Sequence, residues 1–147
     1  MITFQIEFDK EKIENFDNLI TTVREAVLKL GRELVENTLN EWDKEISEMR
    51  DKKRYRNKGK RKSCVKTWFG EIEYERNVYV DRADPEHERC VYLLDEEKEI
   101  CRIGCVATDI CEMAAQSVVE GTYRGAAKEI TEMTGLSISA QGVWDII

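Results

Sequence analysis

The sequence predicts an α+β chain: a long N-terminal helix, a small antiparallel β-meander, and a C-terminal helical unit with a helix-turn-helix. Three observations predict it. Apolar residues from Ile13 to Leu34 recur at alternating steps of three and four, which is a heptad seam. Residues 65–80 alternate apolar and polar, the period of a half-buried strand. Residues 122–147 read as two helical patterns separated by Gly135 and Ser139.

Taken in order, residues 1–50 hold a short strand and the helix. Residues 2–8, ITFQIEF, alternate, and Asp9 is placed to cap the long helix. The seam is Ile13, Phe16, Ile20, Val23, Val27, Leu30 and Leu34. It slips by one residue near Gly31 and continues as Val35, Leu39, Trp42, Ile46 and Met49, which predicts a bend or a change of partner. The seam does not name its partner. It fits packing on its own domain, and equally a homodimer formed through the 13–49 helix.

A basic segment spans 51–66, and Asn57 and Gly59 are turn formers within it. The meander covers 64–95: a strand from Ser63, a turn at Gly70, a longer second strand, a break at Asp84-Pro85, and a third strand at 90–94. The helical unit covers 104–147. Ile110, Met113, Ala114, Ser117 and Val118 share a face, and Gly121 ends that helix. Thr122 caps the next helix, which turns Ala126, Ala127, Ile130 and Met133 inward. Gly135 ends it, and Ser139 caps the last helix, with Val143, Ile146 and Ile147 apolar.

Charge is unevenly distributed. The 147-residue chain has net charge -7. Residues 50–66 nevertheless hold ten basic residues and one acid: Arg50, Lys52, Lys53, Arg54, Arg56, Lys58, Lys60, Arg61, Lys62 and Lys66 against Asp51. Such crowding is self-repulsive unless an anion offsets it or the segment is solvated. Nucleic-acid phosphates are one such anion, because each neutralised phosphate releases counterions. Tyr55, inside the run, suits stacking on a base or sugar. The competing readings are a solvated linker and pairing with the acidic remainder. In the C-terminal pair, Arg124 and Lys128 suit phosphate. Ser139, Gln141 and Trp144 lie where a recognition helix would meet base edges, and Gln141 suits adenine. The same spacing also fits an ordinary helical hairpin.

Five cysteines, with no CxxC pair and no signal-peptide pattern, predict reduced thiols in a cytoplasmic protein. A zinc site from His87, Cys90, Cys101 and Cys105 is the sharper alternative, although it lacks the usual paired knuckle. No clustered ligands predict a metal-dependent enzyme, and no cofactor is expected. No apolar run approaches the roughly 20 residues that span a bilayer, so no membrane partner is expected. The chain ends at VWDII, inside a periodic apolar helix without a polar tail, which predicts a truncated polypeptide.

Three blocks then show a resemblance. "RDKKRYRNKGKRKSCVKTWFGEIEYERNVYV", "VYLLDE" and "GTYRGAAKEITEMTGLSISAQGVWDII" resemble, in order, the N-terminal half of bacterial insertion-sequence transposases of the ISLre-two group. That group was long catalogued as an uncharacterised protein family, and its order of parts is similar to that of Mutator-type transposases. The blocks cover roughly residues 40–147. "DEEKEICRIGC" departs from the apolar stretch expected after the second block. The resemblance implies a longer polypeptide whose N-terminal part binds double-stranded DNA at the element's terminal repeats. It also implies a downstream metal-dependent catalytic domain, so no catalytic residue is expected in this chain. The rival expectation is a non-catalytic dimerising fragment whose basic run is a solvated linker.

Overall fold

The structure, a computed structural model of the chain, describes residues 3–7, 9–83 and 88–147. It is a mixed α+β fold with a long N-terminal helix, a five-stranded sheet and C-terminal helices. Asp84 and Pro85, the expected strand break, lie outside the described residues, as do Ile2 and Phe8 of the expected first strand. Residues 3–7 form no strand, and Ile6 is half exposed. Alternation alone makes no strand where no neighbour accepts its backbone groups.

Asp9 does cap, but it caps a single 3-10 turn, Lys10–Lys12, accepting from the Glu11 amide. The helix α1 begins later, at Phe16–Met49, where Asn15 accepts from the Asn18 amide at 2.9 Å. Its 34 residues give a rod of roughly 50 Å. The slip at Gly31 marks a change of partner. All three buried residues, Leu39, Asp43 and Ile46, lie beyond it. Before it, Phe16 is 72% exposed and Ile20 and Val27 are about half exposed. Glycine suits Gly31 because a methyl group there would clash with one edge of the Phe69 ring. Arg32 fastens the same crossing by donating to the Phe69 carbonyl at 2.8 Å. In the second half the expected seam shifts: Asp43 is buried, while Trp42 is partly exposed and Met49 is 87% exposed.

After α1 come β1 (Tyr55–Thr67), β2 (Gly70–Asp81), β3 (Arg89–Val91), α2 (Leu93–Glu97), β4 (Arg102–Ile103) and β5 (Val106–Ala107). The sheet order is β3-β2-β1-β5-β4. The first three strands are the antiparallel meander, and β5 joins β1 in parallel at Lys66 and Val106. Two features differ from the sequence expectation. Most of the basic segment lies inside a strand, since β1 starts at Tyr55 and pairs with β2 back to Asp81. The expected third strand ends at Val91, because Leu93 and Leu94 open α2 and are almost fully buried against α1 and the sheet. The polar connection after it also carries β4.

The chain continues through α3 (Thr108–Glu120), α4 (Tyr123–Thr134) and α5 (Ala140–Asp145). Thr122 and Ser139 cap α4 and α5 by accepting from Gly125 and Gly142, as expected. Gly135 adopts φ 74°, the left-handed turn that ends α4. Met133 faces outward instead of inward, and Thr134 takes the buried place, its hydroxyl donating to Ile130 at 2.7 Å.

Two apolar clusters result. One joins Leu39 and Ile46 of α1 to Ile72, Tyr74 and Tyr79 of β2, with Leu93 and Leu94. The other joins Ile110, Ala114, Ala126, Ile130, Leu136, Val143 and Ile146. Strand β5 sits at their junction: Val106 belongs to the second cluster, and Ala107 packs on the first. Among the described residues, no helix is long and apolar enough to cross a membrane.

Polar groups lock the first cluster. Asp43, 2% exposed, accepts from the backbone amide of Asn77 at 3.0 Å and from its side-chain amide at 2.6 Å. Asn77 in turn accepts from Asn57 at 2.8 Å. Arg76 is buried against Asp95, lies 3.9 Å over the Tyr92 ring, and shares that carboxylate with Arg102. Arg54 grips Asp81 through two hydrogen bonds of 2.9 Å. That grip, with the Ala83 amide, holds Asp81 down at about 2.

Two outcomes are expected. Asp43→Ala leaves two buried donors of Asn77 without their acceptor, and should lower unfolding free energy by about 1–3 kcal/mol in urea melts; an unchanged midpoint would show that this network adds nothing to stability. For Asp81 the folded-state pKa is depressed, so its contribution is complete above about pH 4 and lost as pH falls through about 2. Asp81→Asn should therefore be less stable than the parent at neutral pH, with the gap closing on acidification. Melts between pH 7 and pH 2 that stay parallel would contradict this.

Candidate nucleic-acid interface

The structure sorts the basic run by what each side chain already touches. Arg50 caps α1: it donates to the Ser47 carbonyl, and to the Tyr55 carbonyl at 3.2 Å, and lies 5.1 Å over the Tyr79 ring. Arg54 is held by Asp81 and covers the Tyr55 ring at 4.8 Å. Tyr55 itself is half-buried against the first cluster. These three residues make the turn from α1 into β1, so their side chains are occupied within the fold.

The remaining cations have a different setting. Lys52 and Lys53 are exposed on the turn, and Arg56, Lys58, Lys60, Arg61 and Lys62 are exposed along β1. Among the described residues, the run forms one ion pair, between Arg54 and Asp81. Two lysines face acids across the ladder, Lys62 opposite Glu75 and Lys66 opposite Glu71. Arg56, Lys60 and Arg61 face Val80, Asn77 and Arg76, and Lys58 falls where the register skips. Internal neutralisation is therefore partial.

Strand β1 also has an open edge. It meets β5 at Lys66, and no other described strand covers its outer side from Tyr55 to Val65. Lysines on an open edge discourage pairing with a second sheet, a structural use of the same charge. Asn57 and Gly59, expected as a turn, instead make a bulge in the strand. The register skips between Asn57 and Lys60, Gly59 adopts φ 104°, and Asn57 accepts from the Gly59 amide at 2.6 Å. A bulge adds twist and re-aims the side chains beside it, here Lys58 and Lys60.

The C-terminal helices carry little positive charge, with two basic residues against six acidic ones in 104–147. Arg124 and Lys128 are exposed, and Lys128 lies 3.6 Å from Glu132. Ser139 uses its hydroxyl as the α5 cap. Gln141 and Trp144 point outward as expected: Gln141 donates to Asp145 at 2.8 Å, and Trp144 is 60% exposed. Lys66 joins the two regions by donating to the Ser137 carbonyl at 3.2 Å, just before α5. Nothing in the sequence announced that link, because it spans 71 residues.

The zinc alternative gains no geometry. All five cysteines are free thiols, and no three His, Cys, Asp or Glu side chains converge among the described residues. His87, one expected ligand, lies outside the described residues. Sequence reading also missed Arg102, whose guanidinium donates to Ser63 and to the Cys64 carbonyl at 2.9 and 2.8 Å.

Comparison with known proteins gives one consistent result. The family model described as "Uncharacterised protein family (UPF0236)" matches residues 10–147. A UPF0236 protein of Caldanaerobacter subterraneus subsp. tengcongensis is 31% identical over 116 residues, 78% of this chain and 24% of the relative. A second UPF0236 protein of that organism, named with eleven locus designations, matches to the same extent. The chain thus spans about a quarter of the length of these curated relatives. No solved structure matches. With nearly its whole length matched by the model, the chain belongs to the UPF0236 family.

Proposed function

We propose that this chain is the DNA-binding N-terminal region of an insertion-sequence transposase of the ISLre-two type. The carrying observation is the open β1 edge, where Arg56, Lys58, Lys60, Arg61 and Lys62 stand exposed in a chain of net charge -7. Arg56 to Lys66 spans ten residue steps, or roughly 33 Å of strand. That is close to one helical turn of B-DNA, and a two-stranded ribbon fits the major groove. The link from Lys66 to Ser137 sets α5 at the end of this strand, so Gln141 and Trp144 would meet bases beside the phosphates held by β1. Arg124 and exposed Lys52 and Lys53 would add outer phosphate contacts. A relative whose name covers eleven loci of one organism fits a gene that multiplies by transposition. DNA cutting would belong to the part of the longer relatives that this chain does not span.

The test is anisotropy of labelled duplex DNA at several salt concentrations. Binding should weaken steeply with salt. Replacing Lys58, Lys60 and Lys62 by Gln should lower affinity for all sequences alike and reduce the log–log salt slope by about 2–3. An unchanged slope would overturn the phosphate role of β1.

A second reading has its own observation. Phe16, Ile20, Val23 and Val27 keep heptad spacing and are each at least 41% exposed. A second copy of the same helix would cover them by knobs-into-holes packing. Sedimentation should then give twice the chain mass, and Ile20→Asp with Val27→Asp should return it to the monomer. A monomer in the parent protein would sink this reading and leave DNA binding untouched.

A further inference from the structure

We propose that Cys64 and Cys105 form a redox-responsive pair, a site of reversible disulfide formation that staples the basic strand to the start of the helical unit. The two thiols come from distant parts of the sequence. Cys64 lies on β1, and Cys105 lies between β4 and β5. The fold brings them together because Lys66 pairs with Val106 and donates its amide to the Cys105 carbonyl at 2.7 Å. Cys105 is also the neighbour that most influences the Cys64 thiol. Both line a cavity of about 890 Å³, walled also by Arg102, Glu73 and Lys62. Reagents of small-molecule size therefore reach the pair.

The two sulfurs differ in access. Cys105 is exposed, whereas Cys64 is partly buried. The neighbouring Cys105, together with burial, pushes the Cys64 thiol up. Access sets the order of attack. The Cys105 thiolate attacks a low-molecular-weight disulfide, RSSR, forming a mixed disulfide and releasing one thiolate. Cys64 then gives its proton to that thiolate and attacks the Cys105 sulfur, expelling the second. Two protein thiols are oxidised and one disulfide is reduced to two thiols.

The position gives the bond a consequence. The parallel contact of β1 with β5 is a single residue pair, and β5 is the junction of the two apolar clusters. A covalent link beside it would fix the helical unit against the strand that carries Lys58, Lys60 and Lys62. It would also close a loop of about 40 residues in the unfolded chain, a source of stabilisation.

The test uses the whole reduced chain treated with oxidised glutathione. The intact mass should fall by two hydrogens, and a non-reducing tryptic map should join peptide 63–66 to peptide 103–124, with fragment ions placing the link at Cys105 and not at Cys111 of the same peptide. Dithiothreitol should reverse it. Tm of the oxidised form should rise by roughly 5–10 °C. Cys105→Ser and Cys64→Ser should each abolish the cross-link, while Cys90→Ser should leave it intact. A map joining Cys101 or Cys111 instead, or glutathione retained on Cys105 without a cross-link, would overturn the pair. A cross-link that lowers Tm would show that the native spacing rejects the bond. The parent map needs no variant, so failure of a serine variant to fold would not blur the result.

Discussion

The buried carboxylate of Asp43 is the constraint on which the rest depends. A carboxylate on an otherwise apolar helix face is costly unless its partners are fixed. Here both oxygens are met by Asn77, one through the backbone amide and one through the side chain. Asn77 can satisfy Asp43 only if its own side-chain oxygen is turned toward Asn57, which donates to it. Asn57 then closes the bulge through Gly59. A line of hydrogen bonds thus runs from α1 through β2 to the bend in β1. It fixes the height of the helix over the sheet, the register of the hairpin, and the direction in which Lys58 and Lys60 leave the strand.

The same geometry explains why the charge sits where it does. A strand with an unpaired edge must be kept from pairing with other chains, and lysine does this at little cost to the ladder. Edge protection needs only a few charges, however, and those facing Glu71 and Glu75 are partly offset already. The surplus falls on residues 56–61, where the opposite strand offers Val80, Asn77 and Arg76 across from Arg56, Lys60 and Arg61. An acidic remainder strengthens the contrast. It leaves residues 50–66 as a concentrated positive stretch in a chain of net charge -7.

Much of this was legible in the sequence, for identifiable reasons. The meander, the Thr122 and Ser139 caps and the Gly135 turn depend on short-range chemistry, which local patterns report. The slip of the seam at Gly31 was also legible, though not its cause, which is the ring of a residue 38 positions later. What failed depended on distant partners. Residues 3–7 alternate but have no neighbouring strand. Leu93 and Leu94 resemble a strand and form a helix because α1 and the sheet bury them there. Lysine-rich β1 has poor intrinsic strand preference, and becomes a strand because β2, rich in Val, Tyr and Ile, pairs with it. Of the expected DNA contacts, Arg50, Arg54 and Tyr55 look identical to their neighbours in sequence. Only the positions of Ser47, Asp81 and Tyr79 separate them as internal contacts.

That separation sharpens what the basic run is for. If crowding were only a solvated linker, no residue in it would need a defined partner, and Asn57, Asn77 and Asp43 would have no reason to shape it. The helices α4 and α5 hold two basic residues, Arg124 and Lys128, so in the proposed interface Gln141 and Trp144 would act beside β1. Lys66 supplies the connection, with its backbone in the sheet, its amide on Cys105 and its ammonium on Ser137. One residue therefore ties the charged edge to the segment that carries Cys105 and to the start of the last helix.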